Sequence, residues 1–205
     1  MDSTGSGGGG TAVRTSETLP VSVMLDVIFV ATLTAKVSLG GCLVVSLVRP
    51  TLRIWPPPGR NSWQYRLVWT LTGLCAVGLA SVGILDWNTF SFSHWFRIPV
   101  GTILIVGGLA LALLAVRVLG VHATSGLQDS LVELGPYRFT RNPQYVGDIA
   151  LLLGWGILAN SLRAWVLCIL AMAWFALAPF TEEPWLRKQY GEAYDAYCQR
   201  VPRFF

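Results

Sequence analysis

Glu182 and Glu183 are adjacent carboxylates directly behind an apolar run, Leu162 to Phe180, and Pro184 follows them at once. Carboxylates beside hydrocarbon are costly unless a cation or hydrogen-bond donors sit with them. Such groups stand on the other side of a turn. The segment Gly135-Pro136-Tyr137-Arg138-Phe139-Thr140-Arg141-Asn142-Pro143-Gln144-Tyr145 leads into a second apolar run that ends near Ala159, and Asn160-Ser161 then turns the chain. As helices rising about 1.5 Å per residue, the two arms are roughly 22 Å and 28 Å long, so a helical hairpin returns its second end close to its first. Arginines and paired carboxylates then meet at one membrane face, a pattern that marks a site rather than a scaffold. Asp148 lies three residues after Tyr145 and four after Gln144, so the three share one helix face just inside that boundary. It is a candidate substrate contact.

The elements that must position these groups are membrane helices. Hydrophobic residues make up 53% of the 205, charged ones 13%, and mean hydropathy is +0.54; soluble domains carry about 25% charge. Apolar runs extend from about Val21 to Val48, Leu67 to Leu85, Ile98 to Leu119, Tyr145 to Ala159 and Leu162 to Phe180. Most reach the roughly 20 residues that a spanning helix needs, and the short fourth must tilt, thin the bilayer or lean on its neighbours. Beyond Pro184, Trp185, Leu186, Tyr190, Tyr194, Tyr197 and Val201 recur at three- and four-residue steps up to Pro202. That spacing predicts an amphipathic helix along the membrane face, serving as an anchor or as a lid over the hairpin's open end. The expected fold is therefore all-α and polytopic, with about five transmembrane helices, the last two a hairpin, and an amphipathic C-terminal helix. Residues 1–18, with the Gly7 to Gly10 run, read as a disordered tail, and 19–205 as a single domain. The first apolar run is longer than a signal-peptide core and contains Asp26 and Lys36, so it reads as a retained helix.

Charge sets the expected orientation. Arg49, Arg53, Arg60 and Arg66 crowd the first connection, Arg138 and Arg141 the third, and Arg187, Lys188, Arg200 and Arg203 the tail. By the positive-inside rule these segments face the cytoplasm and the N-terminus the other side. The net charge of +4 suits anionic headgroups, and nothing in the pattern suits a nucleic acid. Cys42, Cys75, Cys168 and Cys198 stand singly, and His94 and His122 lie far apart, so no metal site is expected. Asp26 and Lys36 are ten residues apart and cannot pair on one helix turn; interface anchoring or a partner on another helix is the plainer reading, a substrate contact the sharper one.

Arg141-Asn142-Pro143-Gln144-Tyr145, Leu153-Gly154-Trp155, Glu182-Glu183-Pro184 and Tyr190-Gly191-Glu192-Ala193-Tyr194, with Tyr197 and Arg200-Val201-Pro202-Arg203 beyond, resemble the integral-membrane methyltransferases, the group of isoprenylcysteine carboxyl methyltransferases and phospholipid N-methyltransferases. The resemblance covers about the last 70 residues. It implies S-adenosylmethionine (SAM) as methyl donor, held within 135–205 by Gly135, Tyr137, Arg138, Arg141, Asn142, Pro143, Tyr145, Glu182 and Glu183. Glu183 and Tyr145 are the candidate catalytic residues, and Asp148 and Arg200 the candidate substrate contacts. Isoprenylcysteine enzymes typically have His where this chain has Asn142, and the Gly-x-Gly of the phospholipid enzymes corresponds here to Ala110-Leu111-Ala112.

The implied partners are the bilayer and a lipophilic or membrane-permeant acceptor bearing a carboxylate, amine or thiol. A carboxylate pair suits SAM's ammonium and sulfonium, and Arg138 or Arg141 its carboxylate. The ending around Tyr197-Cys198 and Arg200-Val201-Pro202 is also similar to membrane sterol reductases, but an NADPH phosphate calls for clustered basic residues where this hairpin has Glu182-Glu183. A small transporter or assembly protein would be marked by internal repeats, which the sequence lacks.

Overall fold

The computed structural model describes residues 20–127 and 130–205; the tail expected to be disordered, 1–18, lies outside them. Among the described residues the regular elements are helices: α1 (Val21–Val48), α2 (Trp63–Leu85), α3 (His94–Leu119), α4 (Val121–Thr124), a 3-10 turn (Gly135–Arg138), α5 (Pro143–Ala159), α6 (Leu162–Tyr190) and α7 (Glu192–Arg200). Four of these, α1, α2, α3 and α6, are long and apolar enough to cross a membrane. Local chemistry sets several ends. The Ser62 and Ser161 hydroxyls cap α2 and α6 by accepting from the Tyr65 and Ala164 amides, each at 3.1 Å. Pro143 opens α5, where its missing N–H costs nothing, and Asn160 closes it in the left-handed conformation at φ 50°.

The 17-residue α5 is the short span, and it leans on α3. The two run antiparallel with glycines facing glycines. A Cβ on Gly147 would stand 2.6 Å from the Gly108 carbonyl and 2.7 Å from the Ala112 amide, and one on Gly154 would stand 2.7 Å from the Gly101 carbonyl. Small residues let the backbones approach, and contact over the whole length offsets what the short helix lacks in lipid-facing surface.

The far ends of the helices are tied by polar groups. Asp86 accepts from the Ser161 hydroxyl and from Arg163 at 3.1 Å, and Arg163 also reaches Asp26 at 2.9 Å, so Asp26 finds its partner on another helix. Asn160 donates to Asn88 Oδ1 at 2.9 Å and to the Phe90 carbonyl at 3.0 Å. Arg97, 2% exposed, donates to the Leu158 carbonyl at 2.9 Å and lies 5.3 Å from the Trp87 ring. The near ends carry the first connection, the segment from α3 to α5 and the C-terminal tail. Here α6 continues through Pro184 to Tyr190, further than its apolar stretch, and breaks at Gly191 with φ 55°. Proline removes one ladder bond, and the side-chain contacts of the turn before it hold the helix on course.

Two outcomes are expected. Gly108→Val should destabilise the α3–α5 pair by about 1–3 kcal/mol in a detergent-unfolding titration, whereas Gly107→Val, with nothing within 4 Å of its Cβ, should leave the midpoint unchanged. Cysteines introduced at the exposed positions Asn61 and Gly191 should react with an impermeant reagent from one side of the membrane only, the cytoplasmic side by the charge rule, and a cysteine at exposed Ser91 only from the other.

Candidate functional site

The two carboxylates at the near end of α6 point in different directions and meet different partners. Glu182 Oε1 accepts twice, from Trp55 Nε1 at 2.6 Å and from the Tyr145 hydroxyl, while Oε2 takes no hydrogen bond from a described residue. Glu183, 4% exposed, is enclosed by arginines. Arg203 grips it with Nε at 2.7 Å and Nη2 at 2.9 Å, Arg141 Nη1 stands at 3.1 Å and Arg187 Nη2 at 3.7 Å. A two-pronged guanidinium–carboxylate pair is the strongest form of this contact. It fastens the C-terminus, and the backbone completes the fastening: the Arg203 carbonyl accepts from Thr140 Oγ1 and Asn142 Nδ2, each at 3.0 Å, and the Pro202 carbonyl from the Arg141 amide at 2.9 Å. Arg203 also lies 4.1 Å from the Phe180 ring centre.

Between these carboxylates, the 3-10 turn and α7 lies a cavity of about 130 Å³. Its wall includes Tyr137, Tyr190, Tyr194 and Tyr197. The Tyr197 hydroxyl donates to the Tyr137 carbonyl at 2.7 Å, docking α7 on the loop before α5. Burial pushes the Tyr197 phenol up to about 12 and those of Tyr137 and Tyr194 higher still, so all three are neutral donors at physiological pH. The Glu183 hydrogen bond holds the Arg203 guanidinium above its ordinary value, so that pair stays ionised. Two buried polar atoms of wall residues, Thr124 Oγ1 and Arg141 Nε, have no hydrogen-bond partner among the described residues.

A second cavity, of about 480 Å³, opens among α1, α2, α5 and α6. Leu39, Val68, Leu79, Leu152, Trp174 and Phe175 make it apolar, and Lys36 and Asp148 are its charged residues. Trp55, Thr124, Gln144 and Tyr145 line both cavities. A compartment that carries the two carboxylates, Arg141 and the tyrosines thus adjoins an apolar one within the helices, with Tyr145 at the junction.

Of the residues expected from sequence, Tyr137, Arg141, Asn142, Tyr145, Glu182 and Glu183 line the first cavity and Asp148 the second. Pro143 is buried in the first turn of α5 without reaching the lining, and Gly135 and Arg138 are exposed and outside it. Arg200 faces outward in a 2.9 Å ion pair with Glu133. The sequence reading missed Trp55, Thr124 and Arg203. Trp55 carried a readable signal: Ile54-Trp55-Pro56-Pro57-Pro58 is an apolar, rigid stretch inside an otherwise basic connection, and such a stretch folds inward. Its amide donates to the Ser46 hydroxyl at 2.9 Å, which pins the loop to α1.

The division of labour between the carboxylates is testable. Arg203→Ala should leave Glu183 without its two-pronged partner and loosen the tail at a cost of about 1–3 kcal/mol. Limited proteolysis should then cut behind α7 at least several-fold faster, whereas Glu182→Gln should leave that rate unchanged.

Residues 96–193 match the model of the phospholipid methyltransferase family, so the likeness takes in α3 as well as the hairpin. The chain is 31% identical over 122 residues to the cobalt-zinc-cadmium resistance protein CzcN of Cupriavidus metallidurans, covering 57% of this chain and 55% of that one. It is 29% identical over 115 residues to a probable protein-S-isoprenylcysteine O-methyltransferase of Oryza sativa, covering 53% and 60%. With Delta(14)-sterol reductase LBR of Gallus gallus it shares 32% identity over 74 residues, 35% of this chain and 12% of that one. The chain thus spans 55–60% of the first and second of these relatives and a small part of the third. No solved structure matches it. The family match runs from α3 to the start of α7, over much of what builds the first cavity, and with the isoprenylcysteine methyltransferase relative it supports a likeness to the integral-membrane methyltransferases.

Proposed function

We propose that the protein is a SAM-dependent methyltransferase, with SAM in the first cavity at the cytoplasmic face and a lipophilic acceptor reaching it through the apolar cavity. The observation that carries this reading is the junction of the two compartments at Tyr145, Gln144 and Trp55. A water-soluble donor and a membrane-borne acceptor need two such entrances and one meeting point.

The first cavity suits SAM on its own chemistry. Glu182 Oε2, unoccupied by hydrogen bonds, offers an anionic acceptor to an ammonium or to ribose hydroxyls. Arg141 Nε and Thr124 Oγ1 are buried polar atoms without a partner among the described residues, suited to a carboxylate and a hydroxyl. The tyrosine faces of α7 and the 3-10 turn offer a stacking wall for a purine.

SAM, when bound, supplies a methyl group already activated on a cationic sulfur. What falls to the protein is alignment and the exclusion of water, and alignment alone can contribute about 7–11 kcal/mol. Trp55 and Tyr145, both donating to Oε1, hold the Glu182 carboxylate in one orientation, so its charge stays directed into the cavity. Trp174 and Phe175 pack on Tyr145, with ring centroids 6.4 Å and 5.4 Å away, and keep the junction dry. α7 closes the water side through Tyr194 and Tyr197, which are 3% exposed. Of the residues expected to be catalytic, Tyr145 stands where transfer would occur. Glu183 acts by holding Arg141 and the tail in place. A reductase reading fits less well, because Arg187 and Arg203, cations a dinucleotide phosphate would need, are engaged by Glu183.

Equilibrium dialysis of the purified chain should show SAM binding and no competition by NADPH. Glu182→Gln should weaken SAM by about 10- to 150-fold, one charge-assisted bond of ~1.5–3 kcal/mol. Apparent acceptor affinity should rise along an alkyl or prenyl chain-length series, by roughly 0.8 kcal/mol per buried CH₂. NADPH binding without SAM binding, or equally efficient methylation of a short water-soluble acceptor, would contradict the reading.

A further inference from the structure

Lys36 has an unusual position for an ammonium. It lies near the middle of the 28-residue α1, lines the apolar cavity, and makes no hydrogen bond or ion pair with a described residue. Its depth follows from the packing layers. Three residues further along α1, Leu39 packs in the same cluster as Tyr145; three residues earlier, Leu33 packs with Leu152 and Trp155. Because α1 and α5 run in opposite directions, Lys36 stands level with Asp148, about 4.5 Å deeper than Tyr145 at 1.5 Å per residue. The two charges share one cavity at one depth without forming an ion pair. Their situations differ: Asp148 has the Gln144 amide one turn before it on the same helix, whereas no described residue supplies an anion to Lys36. A lone cation within the bilayer is costly to keep, and marks a place where a ligand brings the missing charge.

We propose that Lys36 is a specificity-determining residue of the apolar cavity, and that it binds the acid oxygens of an anionic amphiphile whose chain lies among α1, α2, α5 and α6. The shared chemistry is an oxyanion, carboxylate or phosphate. This rests on the reading of the cavity as the acceptor site and adds the class of acceptor. An acid group held at Lys36 leaves the neighbouring atoms of the amphiphile beside Asp148 and one turn from Tyr145, within the junction where methyl transfer would take place.

The test uses the whole purified chain and the tryptophans that line the cavity, Trp55, Trp69, Trp155 and Trp174. Terminally brominated dodecanoate, dodecyl phosphate and dodecanol are titrated as fluorescence quenchers. Expected is an acid-over-alcohol preference of about 10- to 100-fold, abolished in Lys36→Met with dodecanol binding kept, and retained in Lys36→Arg. The stronger of the two acids identifies the oxyanion. Equal affinity for acid and alcohol in the parent chain, or an acid preference that survives in Lys36→Met, overturns the proposal. If Lys36→Met loses dodecanol binding as well, Lys36→Arg decides: a kept acid preference supports the role and a lost one overturns it. Methyl transfer from SAM is read in the same samples. Acid preference without transfer to any acceptor leaves the role of Lys36 standing and overturns the function proposed above; transfer without acid preference does the reverse.

Discussion

Two carboxylates on consecutive residues of a helix cannot face the same way, and much of the near end of this molecule is arranged around that constraint. Glu183 turns toward the tail and is neutralised by Arg203, Arg141 and Arg187. Glu182 turns toward the first connection and is held by neutral donors, Trp55 and Tyr145. One carboxylate is therefore structural, with its charge satisfied inside the protein. The other keeps an oxygen in reserve. Had both been ion-paired, the cavity would have no charge to offer; had neither been, the tail would have no anchor.

The same logic explains why four separate segments converge. The first connection brings Trp55, the first turn of α5 brings Tyr145, the end of α6 brings the carboxylates, and the C-terminus brings Arg203. None of these contacts is local in sequence; Trp55 and Glu182 are 127 residues apart. They are brought together by the α5–α6 hairpin and by the glycine-to-glycine contact of α3 with α5. The far-end network of Asp86, Ser161, Arg163 and Asp26 fixes the other ends of the same helices. Hydrophobic burial alone would leave the rotation of lipid-immersed helices poorly defined, and polar ties at both ends supply the register.

The helices were legible because apolar length is what a bilayer demands: the first run, Val21 to Val48, and the turn at Asn160-Ser161 coincide with the observed α1 and α5–α6 boundary. The clustering of Tyr137, Arg141, Asn142, Tyr145 and the two glutamates was legible for the same reason, since antiparallel arms must bring their open ends together. Side-chain direction was not. Nothing in Glu182-Glu183 says which carboxylate meets arginines, because the arginine that grips hardest, Arg203, comes from beyond a helix break at Gly191. Arg138 and Arg200, expected near the site from the sequence, are exposed and line neither cavity. Lys36 could be assigned to the first apolar run from sequence, where it reads as an interface anchor, and its level with Asp148 depends on packing layers that only the fold displays.

The central claim is that the cavity bounded by Glu182, Tyr145 and the α7 tyrosines receives SAM. Ultraviolet cross-linking of methyl-labelled SAM to the membrane-embedded chain, followed by peptide mapping, tests it directly. The account expects label that excess unlabelled SAM suppresses, confined to peptides containing 55–56, 119–145 and 179–197. Label mapping to the far-end loops, or none that unlabelled SAM displaces, would contradict it.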